Sequence, residues 1–194
     1  EFVDRKAGDW MIQSAANSAV GFYLVQLAKA RGVNVVSVVR RESAVADLKA
    51  VGADVVIVDS PDLARDVKVA TGAKMKLAVD AVAGDTAGRL ADTLERGGTL
   101  VNYGGMSNQP SALGAGALIF NDIIVRGFWL VLWFEKATKE ERIGVYAALT
   151  AAVAKGELHA PIDKVFALDE IAEAARYSWA GGRSGKVLIA PNGI

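Results

Sequence analysis

Residues 9–32, DWMIQSAANSAVGFYLVQLAKARG, decide the fold of this chain. Trp10, Met11 and Ile12 form a short apolar run, the pattern of a strand buried on both faces. Residues 15–21 follow, and all but Asn17 and Val20 are very small. Val20, Leu24, Leu27 and Ala28 then recur at helical spacing, and Gly32 supplies a C-terminal stop. Small residues at a strand-to-helix turn let a ligand approach the backbone closely. The free N–H groups of the helix N-terminus, with the positive end of its dipole, suit a pyrophosphate.

A dinucleotide fingerprint would read G-x-G-x-x-G, and the matching positions here are Ala16, Ser18 and Gly21. Ala- and Ser-rich turns also join strands to helices in α/β proteins that bind no nucleotide. The turn alone therefore leaves both readings open, and the rest of the chain weighs on the choice.

With 194 residues the chain holds one good core and a small appendage. Its composition is 52% hydrophobic, which marks a folded chain and not a disordered one. Twenty-two basic residues balance 22 acidic ones, giving no electrostatic case for nucleic acid or an anionic membrane. The longest apolar region, residues 118–134, is interrupted by Asn121, Asp122 and Arg126 and does not read as a membrane span. No signal-peptide pattern opens the chain, and Glu1 in place of an initiator Met implies that an upstream segment has been removed. With no cysteine, disulfides are excluded and the expected address is cytoplasmic. His159 is the one histidine, so a Cys/His zinc site cannot be built from these residues.

Strands are expected at 33–39 (VNVVSVV), 54–58 (DVVIV), 77–82 (LAVDAV) and 99–103 (TLVNY). Helices are expected between them: 43–50 capped by Ser43, a third from Ser60-Pro61 towards Gly72, and 86–95 closed by Gly97-Gly98. A long loop through Gly114 and Gly116 leads to a sixth strand within residues 123–133, continued beyond Gly127. Thr138 and Glu141 form a capping box for a helix that ends at Gly156. The tail reads as a strand at 164–168, a helix capped by Asp169 and a strand at 185–190. This alternation predicts an α/β fold, a Rossmann-type doubly wound parallel sheet with helices on both faces, plus a C-terminal strand-helix-strand segment. The domains expected are 1–156 for the sheet and 157–194 for the tail.

The end of the second strand bears on the nucleotide. An NAD-binding fold carries a carboxylate there for the ribose 2′-hydroxyl. Here Arg40 and Arg41 stand in its place, ahead of Glu42. Two guanidiniums suit the 2′-phosphate of NADPH; the plainer alternative is a pair of solvated loop residues.

VVRRES, VNYGGMSNQP and RGFWL, in this order, resemble the medium-chain dehydrogenase/reductase superfamily. The nearest branch is the zinc-independent, NADPH-dependent 2-enoyl thioester reductases, with the quinone oxidoreductases beside it. IQSAANSAVG resembles that branch's version of the turn, which also carries Asn-Ser; Ala19 departs from its usual Gly. The resemblance implies the cofactor-binding domain of an oxidoreductase that reduces the C=C bond of enoyl-CoA or enoyl-acyl carrier protein, in fatty acid metabolism. The family's GroES-like catalytic domain is not in this sequence, so the fragment alone is expected to be inactive, with no catalytic residue assigned.

The resemblance also implies the site. Asn17, Ser18, Ala19, Val20 and Gly21 would lie under the pyrophosphate, and Arg40 with Arg41 on the 2′-phosphate. Tyr103, Gly104, Gly105 and Met106 would pass the ribose and nicotinamide; Phe128, Trp129 and Leu130 would touch the nicotinamide end. Lys186 would reach the cofactor from the returning tail. Phe128 and Trp129 alternate in the expected strand, so one of them is core or interface. Tyr103 as a proton donor is the weaker reading, and His159 reads as a surface residue. The edge strand 123–133 would pair with its twin in a homodimer. Two alternatives stand beside enoyl reduction: an NADPH-dependent quinone or alkenal oxidoreductase, and a non-catalytic NADPH-binding dimerisation module.

Overall fold

The computed structural model describes residues 2–183 and 185–193, so the reading made at Glu1 lies outside it. Six strands form one parallel sheet: β1 (Trp10–Gln13), β2 (Asn34–Val39), β3 (Val55–Val58), β4 (Met75–Asp80), β5 (Leu94–Asn102) and β6 (Ile124–Gly127). Their spatial order is β3-β2-β1-β4-β5-β6. The direction of winding therefore reverses between β1 and β4, and ligands of such sheets bind at the carboxyl ends beside that reversal.

The inner strands β1, β2 and β4, and β5 from Thr99 onward, are largely apolar because both of their faces are covered, whereas β6 at the edge is exposed. Ile12, Val36, Val38, Ala78 and Leu100 pack on one side with Leu63 and Val67 of α3 (Leu63–Thr71) and with Ala87 and Leu90 of α4 (Gly84–Asp92). Met11, Val35, Val39, Leu77 and Val101 pack on the other with Phe22, Val25 and Ala28 of α1 (Ala19–Lys29) and Leu48 of α2 (Val45–Ala50). Hydrophobic burial on both faces is what holds this layered arrangement together.

Several expected local features differ. On α1 the buried face is Phe22, Val25 and Ala28, whereas Val20 is exposed at the N-terminal end of the helix. Ser43 caps nothing: it lies inside a 3₁₀ turn, Glu42–Ala44, that precedes α2. Ser60 accepts the Asp62 N–H at 3.2 Å in a turn, and α3 starts one residue later. β5 begins at Leu94, where a helix end was expected, and its pairing with β4 shifts register between Met75 and Leu77. Gly97, with φ +76°, lies in the strand segment opposite that irregularity. The loop before β6 holds α5 (Ala115–Phe120), anchored by buried Ala117.

The largest correction concerns residues 123–133. β6 covers only Ile124–Gly127, and the chain turns at Phe128 and Trp129 into α6 (Leu130–Lys136). An apolar run interrupted only by Arg126 and Gly127 is compatible with either element, and here it divides at Gly127. Phe128 and Trp129 thus sit in a turn, with Phe128 against the core and Trp129 62% exposed. β6 remains the edge of the sheet, as expected.

The Thr138–Glu141 capping box forms in both directions, at 2.8 and 3.1 Å, and starts α7 (Lys139–Ala154). In the tail, β7 (Ile162–Ala167) and β8 (Lys186–Ala190) pair in a separate two-stranded parallel sheet, joined by α8 (Ile171–Ala180). Glu170, not Asp169, supplies the capping carboxylate there, accepting the Ala167 N–H at 2.9 Å. The tail is clipped to α1. The buried Gln26 amide donates to the His159 carbonyl and accepts the His159 N–H, both at 2.8 Å, while the His159 side chain stays at the surface.

Candidate functional site

The turn after β1 lies at the winding reversal and is built for close contact. Ala15 adopts φ +46°, a left-handed conformation uncommon for alanine. Ala16 is fully buried and donates its N–H to the Val38 carbonyl at 3.1 Å. Ser18 caps α1, its hydroxyl accepting the Gly21 N–H at 3.1 Å. A Cβ on Gly21 would stand 2.1 Å from the Ala16 carbonyl oxygen, so only glycine lets α1 pack this close to the turn. Gln13 secures the contact from below, donating to the Gly21 carbonyl at 3.1 Å and to Ser37 Oγ at 3.2 Å. The remaining first-turn N–H groups of α1 have no intrahelical acceptor, so the helix end presents donors and a positive dipole to an anion.

Around this turn, the carboxyl ends of β4 and β5 are tied by a carboxylate that the sequence pattern does not single out. Asp80 is fully buried. It accepts hydrogen bonds from Ser14 Oγ at 2.6 Å and from the Val82 N–H, the Ala83 N–H and Asn102 Nδ2, each at 2.9 Å. Ser14 Oγ accepts the Ala81 N–H in turn. Asp80 thus joins the ends of β1, β4 and β5 into one platform. Its backbone carbonyl accepts the Tyr103 N–H at 2.8 Å, which sets the start of the loop after β5.

Tyr103 leans over the turn. Burial raises its phenol above the ordinary value; a hydrogen bond with Ser18 works against that rise and the Asp80 charge adds to it. The phenol is therefore protonated at neutral pH and serves as a polar contact. Gly104 runs against β4: a Cβ there would meet the Ala81 carbonyl oxygen at 2.9 Å. Gly105 and Met106 are exposed, with open space at Gly105. Asn17, Ser18, Ala19 and Val20, with Tyr103, therefore gather at one end of the sheet.

Beyond β6, a cleft of about 310 Å³ is lined by Phe2, Arg126, Phe128, Trp129 and Trp133, among others. Phe2 meets Phe128 edge-on at 5.9 Å, and the Arg126 guanidinium lies 4.7 Å over the Phe2 ring. Leu130 is half exposed at the first turn of α6.

The two arginines after β2 separate. Both are exposed, but Arg41 lines a second cleft with Asn17, whereas Arg40 is outside that lining. Lys186 is exposed at the first position of β8, its backbone N–H bonded to the Pro161 carbonyl.

The sheet order, the reversal and the small-residue turn define a Rossmann-type α/β domain. Residues 19–144 match the model of the zinc-binding dehydrogenase family, and the chain belongs to that family, in the medium-chain branch of zinc-independent enoyl and quinone reductases. Despite the family's name, no His/Cys/Asp/Glu group among the described residues could hold a metal. The chain is 37% identical over 197 residues to a mitochondrial enoyl-[acyl-carrier-protein] reductase of Dictyostelium discoideum, covering 97% of this chain and 55% of that protein. A mitochondrial reductase of the same name from Caenorhabditis elegans is 39% identical, with 81% of this chain and 46% of that protein covered. Etr1p in its complex with NADP and crotonyl-CoA superposes with a TM-score of 0.82 at 28% identity, covering 93% of this chain and 55% of that one. The chain spans about half the length of the curated relatives it matches. Their names overturn the cytoplasmic address expected from the missing cysteines: they are mitochondrial enzymes, and a cysteine-free composition does not distinguish the matrix from the cytosol.

Proposed function

We propose that this chain is the NADPH-binding part of an enzyme that reduces the C=C bond of 2-enoyl thioesters. One observation carries the reading: Gly21 seats α1 against the buried Ala16 at the point where the sheet reverses, leaving a donor-rich helix end facing the carboxyl edge. The likeness to enoyl-[acyl-carrier-protein] reductases and to the Etr1p complex with NADP and crotonyl-CoA supports the choice of cofactor and substrate class.

On this reading Asn17, Ser18, Ala19, Val20 and Gly21 receive the pyrophosphate, and the arginines after β2 favour the 2′-phosphate. Tyr103, Gly104, Gly105 and Met106 guide the ribose and nicotinamide. Phe128, Trp129 and Leu130 border the nicotinamide end, and Lys186 approaches from the tail. Bound there, NADPH would supply the hydride. The chain's own share is orientation and exclusion of water, since none of these side chains is assigned to move a proton. Division of the chain into a cofactor domain, 1–156, and a tail, 157–194, belongs to the same reading.

The test is NADPH oxidation by the full-length protein with crotonyl-CoA or a simple quinone. Turnover of crotonyl-CoA well above quinone is expected. The reverse preference would establish the quinone or alkenal reading, and tight NADPH binding with no turnover of either would leave a binding module.

We also propose a homodimer through the edge of β6 together with α6. Ile124, Val125, Leu130, Val131 and Leu132 are all about half exposed and adjoin an unpaired strand edge. Sedimentation at micromolar concentration is expected to give a dimer, and Val125→Lys to give a monomer. A wild-type monomer would end this proposal.

A further inference from the structure

A second, narrow cleft opens where the chain leaves β2. Arg41 lines it from the β2 side and Arg183 from the segment leading into β8, with Asn17 and Ser43 adding neutral polar groups. A Cβ on Gly182 would stand 3.9 Å from Arg41 Nη1, so the tail runs directly past that guanidinium. Arg183 is anchored: its Nη1 donates to the Ser178 carbonyl at 2.7 Å, at the end of α8. Its Nε is buried and has no hydrogen-bond partner among the described residues. Asp47 is also in the lining, yet neither arginine forms an ion pair with it among the described residues.

Two guanidiniums against one carboxylate, unpaired among the described residues, leave the cleft with a positive excess, which suits an anion. The position of the cleft narrows which anion. Arg41, Ser43, Ala44 and Asp47 put most of the lining at the end of the second strand, where a dinucleotide's adenine ribose is held, with Asn17 bordering the cleft on the pyrophosphate side. We propose that Arg183 is a specificity-determining residue that grips the 2′-phosphate of NADPH jointly with Arg41, a role that rests on the NADPH-binding reading above. The tail then contributes directly to cofactor choice. Arg40, outside the lining, has the smaller part.

The test compares NADPH and NADH binding to the full-length protein by calorimetry. Wild type is expected to prefer NADPH. Arg183→Gln is expected to weaken NADPH about tenfold to a hundredfold, the effect of losing a charged hydrogen bond, and to leave NADH unchanged. Arg183→Lys, which keeps the charge but not the fork, is expected to retain part of the preference. Unchanged NADH binding also reports that each variant is folded. Equal weakening of both nucleotides, or of neither, overturns the role of Arg183 while leaving the NADPH reading intact. Wild-type protein that binds neither nucleotide overturns both.

Discussion

Gly21→Ala is expected to abolish dinucleotide binding and to destabilise the fold by about 3 kcal/mol or more, the upper range for overpacking a rigid site. The added Cβ would lie 2.1 Å from the Ala16 oxygen, 2.6 Å from its carbonyl carbon and 2.7 Å from its Cα. All three are backbone atoms, and Ala16 is fixed by burial and by its bond to Val38. The alternative is for α1 to back away. That breaks the Gln13–Gly21 hydrogen bond and lifts Phe22 and Val25 out of the core. Urea unfolding and an NADPH titration measure the two effects. Gly105→Ala is the matched control: no atom lies within 4 Å of its added Cβ, so the unfolding midpoint is expected to stay put. An unaltered midpoint in Gly21→Ala would show that the helix and the turn do not depend on their contact.

The second large effect is expected from Asp80→Asn. Four donors converge on this carboxylate, two of them backbone N–H groups with no freedom to turn away. An asparagine offers one acceptor oxygen and presents an NH₂ group to the remaining donors. Losing a charge-assisted bond and stranding buried donors costs about 3 kcal/mol. For a chain of this length that lowers the melting temperature by roughly 6–12 °C. Ser14→Ala, which removes one donor and the acceptor of the Ala81 N–H, is expected to fall in between. Scanning calorimetry of the three proteins measures the order. If Asp80→Asn melts with wild type, the platform does not hold the strand ends together.

Much of the fold was legible because the strands are doubly buried. Val35 and Val39 face one layer and Val36 and Val38 the other, and a run as apolar as VNVVSVV, too short for a buried helix, suits a strand covered on both faces. The turn was legible too, since smallness followed by helical spacing is a local pattern. The end of β6 was not. IIVRGFWLVLWF is apolar but for Arg126 and Gly127 through a strand, a turn and a helix, and α6 buries none of its residues in this chain, so no periodicity marks the change. Asp80 was hidden for another reason. Its partners Ser14 and Asn102 lie 66 and 22 residues away, and no spacing rule connects the ends of three strands. Arg183 was equally out of reach: only the path of the tail brings it beside Arg41.

The Gln26 clip has a mechanical consequence. Gln26 lies about one and a half turns along α1 from Gly21, on a helix roughly 16 Å long that does not bend on that scale. Its amide grips the main chain of His159 from both directions, so α1 and that stretch of tail translate together. One end of the helix meets the small-residue turn where we propose the pyrophosphate binds, while its side carries the tail. The helix is a strut that ties the turn at its N-terminus to the segment mounted on its flank.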